Sequence, residues 1–271
     1  MSYRVAILGA TGLVGQTLLR LLEERAFPVR ELVPLASQRS VGKPVRFAGD
    51  EIPVRLAEPE AFEGVDLVLS SAGASVSREL LPAAVERGAV AIDNTSAYRM
   101  DPEVPLVVPE VNPHRIADYG QRGIIANPNC STIQLVVALK PLHDAFGVRR
   151  VIVSTYQSVS GAGQRAVDEL VTDLGELDGT GAPPADRREA LAFNALPKID
   201  VFVDDGETRE EWKMRVETSK IMEASIPLHA TCVRVPIVLS HSEAVWIETE
   251  KAASPEEVRD VLRGAEGLVL V

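Results

Sequence analysis

An α/β protein in two parts is predicted, its first part a parallel sheet with helices on both faces. Three observations predict it. Short β-rich runs alternate with helical patterns over about the first 125 residues, as successive βαβ units do. Those runs are almost wholly apolar, which suits strands buried on both faces. From residue 131 the alternation gives way to a different pattern, so one domain is expected over 1–128 and another over 129–271.

The first part reads in order as strands RVAILGA (4–10), ELVPLAS (31–37), VDLVLSSAG (65–73) and VAIDNTS (90–96). Between them, TLLRLLEER and SRELLPAAVERG carry apolar residues at helical spacing. The second part opens with CSTIQLVVALKPLHDAFG, a helix capped by Asn129 or Ser131 and closed near Gly147. RRVIVSTYQSVSG reads as a strand whose end carries Tyr156 and Gln157. The helix GQRAVDELVTDLGEL follows the SGAG turn, and the Pro/Gly-rich DGTGAPPADRR (178–188) reads as a loop. KMRVETSKIM (213–222) is a helix, and HATCVRVPIVLSHSEAVWIETEK holds two β-runs meeting at LSHS. SPEEVRDVLRG is a helix with a capping box from Ser254 and Glu257, before the strand-like GLVLV (267–271).

Composition narrows the partners. The chain has 271 residues, 46% hydrophobic, and a net charge of −11, which disfavours nucleic acid and anionic membrane surfaces. A few local arginines still suffice for an anionic small molecule. No apolar run approaches the ~18 residues of a membrane span, and MSYRVAILGATG lacks the pattern of a secretory signal. Neither Cys130 nor Cys232 has metal-ligand spacing, so no metal is expected, and two reduced thiols suit a cytoplasmic protein.

Gly9-Ala-Thr11-Gly12-Leu13-Val14-Gly15 lies between the first strand and the first helix. Glycines there permit a tight turn and close backbone approach, and the helix start offers N–H groups to a pyrophosphate. The first part is therefore expected to be a Rossmann-type dinucleotide-binding domain. NAD-binding folds usually end the second strand with an acid for the ribose hydroxyls. Here that strand runs into Ser37-Gln38-Arg39-Ser40, with no acid and one arginine, which favours NADP over NAD. Ser71, Ala72 and Gly73 end the next strand with small residues that let a cofactor lie close.

Cys130 opens a helix after Asn-Pro-Asn, where unsatisfied N–H groups and the helix dipole favour a thiolate. A thiolate there suits attack on a carbonyl carbon. Cys232, in the alternating run ATCVRV, reads as a small buried hydrophobe. Of four histidines, His114 and His143 fall on polar faces, His229 precedes a strand, and His241 sits between apolar runs seven residues after Arg234. The residues alone leave His241 open between a structural and a catalytic part. Nucleotide turn, thiol and histidine together suggest aldehyde oxidation through a thioester.

GATGLVG, ASQRSVG, DNTSAYRM, PEVNP, NPNCST, YQSVSGAG, EEWKM, ETSKIM and CVRVPI…HSEAV occur in that order. The set resembles the aspartate-β-semialdehyde dehydrogenases over essentially the whole chain. The resemblance implies NADPH-dependent interconversion of L-aspartyl-4-phosphate with aspartate semialdehyde and phosphate, on the path to lysine, threonine and methionine. It implies Cys130 as acyl-accepting nucleophile, His241 as acid/base and Gln157 as the residue orienting substrate on the thiol. Arg234 then grips the substrate carboxylate, Glu210 lies near its amino group, and Arg99, Asn129 and Lys213 form the phosphate site. Thr11, Gly12, Leu13 and Val14 correspond to the pyrophosphate loop, with Gly9 before them. Ser37, Arg39 and Ser40 correspond to the 2′-phosphate pocket, and Ser71, Ala72, Gly73, Ser160 and Gly161 complete the cofactor site. A second domain with a mixed sheet, forming a homodimer or a tetramer with AFNALPKIDVF (192–202) near the interface, is also implied. Family members usually continue for several dozen residues past GLVLV, so a truncated record or an absent tail is expected. N-acetyl-γ-glutamyl-phosphate reductase is the nearest rival, and Glu210 in EEWKM argues against it. A nucleotide-binding relative without turnover is a second, though such a protein would be expected to lose the thiol or the histidine.

Overall fold

The computed structural model describes residues 1–175, 190–203 and 206–271; the loop expected at 178–188 lies outside them. The chain forms two compact units, Met1–Val107 with Asn112–Pro128, and Val108–Val111 with Asn129–Val271.

The first unit runs β1 (Tyr3–Leu8), α1 (Leu13–Glu24), β2 (Val29–Ala36), β3 (Pro44–Phe47), β4 (Asp50–Pro53), β5 (Arg55–Leu56), β6 (Leu67–Ser70), α2 (Ala74–Glu86), β7 (Val90–Asp93) and β8 (Ile124–Ala126). Six strands form one parallel sheet in the order β5-β2-β1-β6-β7-β8. Val5, Ala6, Ile7 and Leu8 of the central β1 are wholly buried, which is why that strand is an unbroken apolar run. Because β2 and β6 lie on opposite sides of β1, the C-terminal ends of all three strands meet. That is the topological switch point at which such sheets bind ligands.

The β3–β4 hairpin was not expected from the sequence, because each strand is only four residues long. Its turn is Ala48-Gly49, both with positive φ (52° and 87°), and it buries Val45 and Phe47 in a cluster with Leu19, Ile7 and Leu32. α1 and α2 begin earlier than the runs read from sequence, α1 at Leu13 directly after the glycine turn and α2 at Ala74, where its first turn is Ala-Ser-Val-Ser.

The second unit contains α3 (Cys130–Phe146), β9 (Val148–Gln157), α4 (Gln164–Gly175), α5 (Arg209–Met222), β10 (Leu228–Arg234), β11 (His241–Thr249) and α6 (Pro255–Arg263). Its sheet is mixed: central β9 runs parallel to β10 and antiparallel to β11. Along β9, Val151, Val153, Thr155 and Gln157 are buried while Ile152 and Tyr156 are exposed, the period-2 pattern of a sheet with one covered face. α5 starts at Arg209, four residues before the expected 213, because Thr208 and Glu211 close a reciprocal capping box. Ser254 and Glu257 form the capping box expected at α6. GLVLV is not a strand: it pairs with no ladder among the described residues, and Val269 and Val271 are exposed. No helix among the described residues is long and apolar enough to cross a membrane.

Candidate active site

In the first unit, the turn after β1 is shaped by its glycines in two distinct ways. Gly9 has a φ of +95°, and a β-carbon there would lie 3.0 Å from Ser71 Oγ. At Gly15 a β-carbon would fall 2.2 Å from the Gly9 carbonyl oxygen, so only glycine lets α1 pack this close to the turn. No side chain caps α1 at Gly12, so its leading N–H groups remain available to an anion at Leu13 and Val14. Thr11 Oγ1 lies 3.3 Å from Ser40 Oγ, joining the turn to the segment after β2. Ser37 and Arg39 are exposed there, and Arg39 has no ion pair or hydrogen bond among the described residues. Ser71, Ala72 and Gly73, the last at φ +99°, follow β6 at the same sheet end. An open helix start and a glycine cradle fit the pyrophosphate of a dinucleotide.

In the second unit, Cys130 is the first residue of α3, and its thiol is exposed. Asn129 is the N-cap: Oδ1 accepts from Ser131 N (3.0 Å) and Thr132 N (3.3 Å). Those two N–H groups are therefore spent on the cap, so they are not the unsatisfied donors that the sequence led one to expect beside the thiol. Cys130 Sγ lies 3.1 Å from His241 Nε2. The imidazole Nδ1 faces one donor and one acceptor, Ser158 N at 3.0 Å and the Ser240 carbonyl at 2.8 Å. The carbonyl favours the tautomer that leaves Nε2 free to take the thiol proton, and the N–H favours the reverse, so neither proton arrangement is locked. Burial, with Arg234 acting in the same direction, holds the imidazole pKa below 6.5 against the Ser240 bond and Glu210, so it is neutral at pH 7.

Sheet register gathers the rest. Gln157 pairs with Arg234 on β10 and with His241 on β11, so the three side chains form one row across the sheet. A slip of one residue on β11 would send His241 to the opposite face. Gln157 Oε1 accepts from Thr155 Oγ1 (2.9 Å), and Nε2 donates to Glu210 Oε1 (3.0 Å). Arg234 donates to the Ser158 carbonyl. Gly161, beyond β9, leaves room beside them: a β-carbon would come 3.5 Å from Arg234 Nη1 and 3.7 Å from His241 Cε1. Ser160 Oγ lies 3.1 Å from Ser158 Oγ in the same turn.

Glu210 is the hub of this unit. It also accepts from Asn129 Nδ2 (2.9 Å) and Lys213 Nζ (3.3 Å). Burial pushes its pKa up, but Lys213 and the donors from Asn129 and Gln157 outweigh it, so the carboxyl sits below 4.5 and is charged. Lys213 is held by a second carboxylate, Asp200 Oδ2, at 3.1 Å. Arg99 belongs to the first unit, buried, with its guanidinium on the Asn127 (2.9 Å) and Asn94 (3.1 Å) carbonyls. Thr155, Ser158, Ser240 and Asp200 were not singled out from sequence. Ser158 and Ser240 act through backbone groups and Asp200 through a contact thirteen residues along the chain, none of which a motif encodes, and Thr155 acts through a hydroxyl on Gln157 two residues away.

The row beneath is Cys232–Thr155–Glu243, of which Cys232 and Thr155 are wholly buried and Glu243 half-buried. Burial pushes the Cys232 thiol up to about 12, which rules it out as a nucleophile. Burial also pushes the Glu243 carboxyl up to about 7 against the Gln134 amide, and its Oε1 has no partner among the described residues. A carboxyl raised from 4.5 binds more protons folded than unfolded between those pH values. Its penalty is absent below pH 4.5, grows as the pH rises, and is complete above about 7. Glu243→Gln should therefore melt with the parent at pH 4.5 and above it at pH 8. A gap between the two that ignores pH would refute this.

Two family models cover most of the chain: semialdehyde dehydrogenase, NAD binding domain, over residues 4–119, and semialdehyde dehydrogenase, dimerisation domain, over 139–271. An aspartate-semialdehyde dehydrogenase from Aquifex aeolicus is 54% identical, covering 100% of this chain and 81% of that protein. The crystal structure of aspartate semialdehyde dehydrogenase II complexed with ASA from Vibrio cholerae superposes with a TM-score of 0.94 at 49% identity, over 98% of this chain and 80% of that one. The Candida albicans enzyme with NADP gives 0.71 at 27% identity, over 98% and 77%.

Proposed function

Since the chain belongs to the aspartate-semialdehyde dehydrogenase family, we propose that it reduces L-aspartyl-4-phosphate to aspartate semialdehyde, reversibly, with NADPH. The observation that carries this reading is the 3.1 Å contact between Cys130 Sγ and His241 Nε2, beside the row that holds Gln157 and Arg234. Neutral His241 takes the thiol proton, and the Cys130 sulfur bonds to the acyl carbon as phosphate leaves, giving a thioester. Gln157 orients the acyl group. Arg234 holds the substrate carboxylate with its planar fork, and charged Glu210 receives the amino group. Asn129 and Lys213 take the phosphate, Lys213 exchanging a carboxylate partner to do so. Bound NADPH supplies the hydride that converts the thioester to the aldehyde. Imidazolium His241 returns its proton to sulfur as the carbon–sulfur bond breaks.

The first unit is proposed to hold the dinucleotide at Gly9, Thr11–Val14, Ser37, Arg39, Ser40 and Ser71–Gly73. Arg39→Ala should raise the Michaelis constant for NADPH by about 10- to 100-fold and leave that for NADH nearly unchanged, from the ~1.5–3 kcal/mol of a charge-assisted bond. Equal effects on both would remove Arg39 from the 2′-phosphate pocket.

A homodimer through the open face of the second sheet is proposed as well. Ile152 (45% exposed), Tyr156 and Trp246 (50%) form an apolar patch there, and Phe193 and Phe202 add to the exposed surface of the unit. The product would feed lysine, threonine and methionine synthesis in the cytoplasm, where both thiols stay reduced. The deciding assay is phosphate-dependent NADPH formation from aspartate semialdehyde. Equal turnover of N-acetylglutamate semialdehyde, or none with phosphate present, would overturn the reading.

A further inference from the structure

We propose that Glu217 is a positioning residue for the Cys130 nucleophile, acting through Asn129; the catalytic half of this claim rests on the function proposed above. Glu217 is a carboxylate only 1% exposed, seven residues along α5 from Glu210 and on the same buried face as Met214 and Ile221. Burying a carboxylate is costly unless a bond requires it. Its Oε2 accepts from the Asn129 backbone N–H at 2.6 Å. That N–H precedes the α3 ladder, whose first bond runs from Ile133 N to the Asn129 carbonyl at 2.9 Å.

Asn129 is thus held at two points along α5: its backbone by Glu217, and its side-chain Nδ2 by Glu210. Its Oδ1 is committed to Ser131 and Thr132. With all three groups engaged, the residue before the nucleophile has one position, and Cys130 Sγ meets His241 Nε2 from it. The Glu210 bond alone would fix the side chain but leave the peptide free to rotate. The second carboxylate removes that freedom. The other titratable groups around the thiol, His241, Arg234 and Glu210, are at separate positions that the test leaves untouched.

An ionised carboxyl and its bond would act on the thiol with opposite signs, so two substitutions separate them. Removing a nearby negative charge stabilises a thiolate and moves its titration down. Losing the anchor loosens the thiol–imidazole contact and moves it up. Cys130 alkylation by iodoacetamide, followed against pH, reads this without substrate or cofactor. Glu217→Gln keeps an acceptor for Asn129 N–H and removes the charge, so its midpoint should stay level or fall, with kcat within about threefold of the parent. Glu217→Ala removes both, and its midpoint should rise by about one pH unit, with kcat down on the order of 100-fold and KM little changed. Should Glu217→Ala not fold, Glu217→Asp, one methylene short, should show the same upward shift in smaller measure. A folded Ala or Asp variant with the parent's alkylation profile and kcat overturns the proposal, as does a Gln variant damaged as badly as Ala. Alkylation profiles that shift as described in a chain that turns over no semialdehyde would uphold the anchoring and reject only the reaction.

Discussion

Cys130→Ser lowers phosphate-dependent turnover of aspartate semialdehyde by about 10⁴-fold or more while leaving NADP affinity where it was. The size follows from acidity. A serine hydroxyl ionises far less readily than a thiol, and a neutral imidazole 3.1 Å away is too weak a base to close that gap. The nucleophile must also be expelled as a good leaving group when the thioester is reduced, and an ester oxygen leaves less easily. Unchanged NADP affinity is expected because the dinucleotide loop lies in the other unit, after β1. Steady-state rates in the direction of semialdehyde oxidation, with NADP binding followed by fluorescence, check both halves. Activity within tenfold of the parent would end the thioester scheme.

Replacing His241 by Ala should cost on the order of 10²- to 10⁴-fold in kcat, the usual worth of a positioned proton-transfer group. The pH profile carries the sharper prediction. Burial holds the imidazole pKa below 6.5, and the base form is the deprotonated one. Activity of the parent should therefore be flat through neutrality and fall only as the pH drops through a midpoint beneath 6.5. The variant loses that acidic limb along with the rate. Cys130 alkylation should slow in parallel at pH 7, since the thiol has lost its proton acceptor. A variant that keeps the limb would place the titrating group elsewhere.

Local patterns carried much of the architecture into view. The parallel sheet of the first unit was legible because its apolar runs and the glycine turn are each written in a few consecutive residues. The hairpin β3–β4 was not, because four-residue strands leave too short a pattern and its burial comes from α1 and β2. The start of α5 was missed for a related reason: the apolar stripe begins at Met214, whereas the helix begins where Thr208 and Glu211 cap it.

By itself, the sequence determined the two-part α/β plan, the nucleotide loop at Gly9–Gly15, and the placing of Cys130 at a helix start behind Asn129. Each of these depends on backbone geometry and periodicity within a few neighbouring residues. Only the tertiary structure decided that His241, 111 residues away, meets the thiol, and that Arg234, Gln157 and His241 share one row. It also decided that Glu210 and Glu217 hold Asn129 from two sides. Strand register and helix packing are settled by which distant faces bury together, and that choice is spread over the whole unit rather than written at any one of these positions.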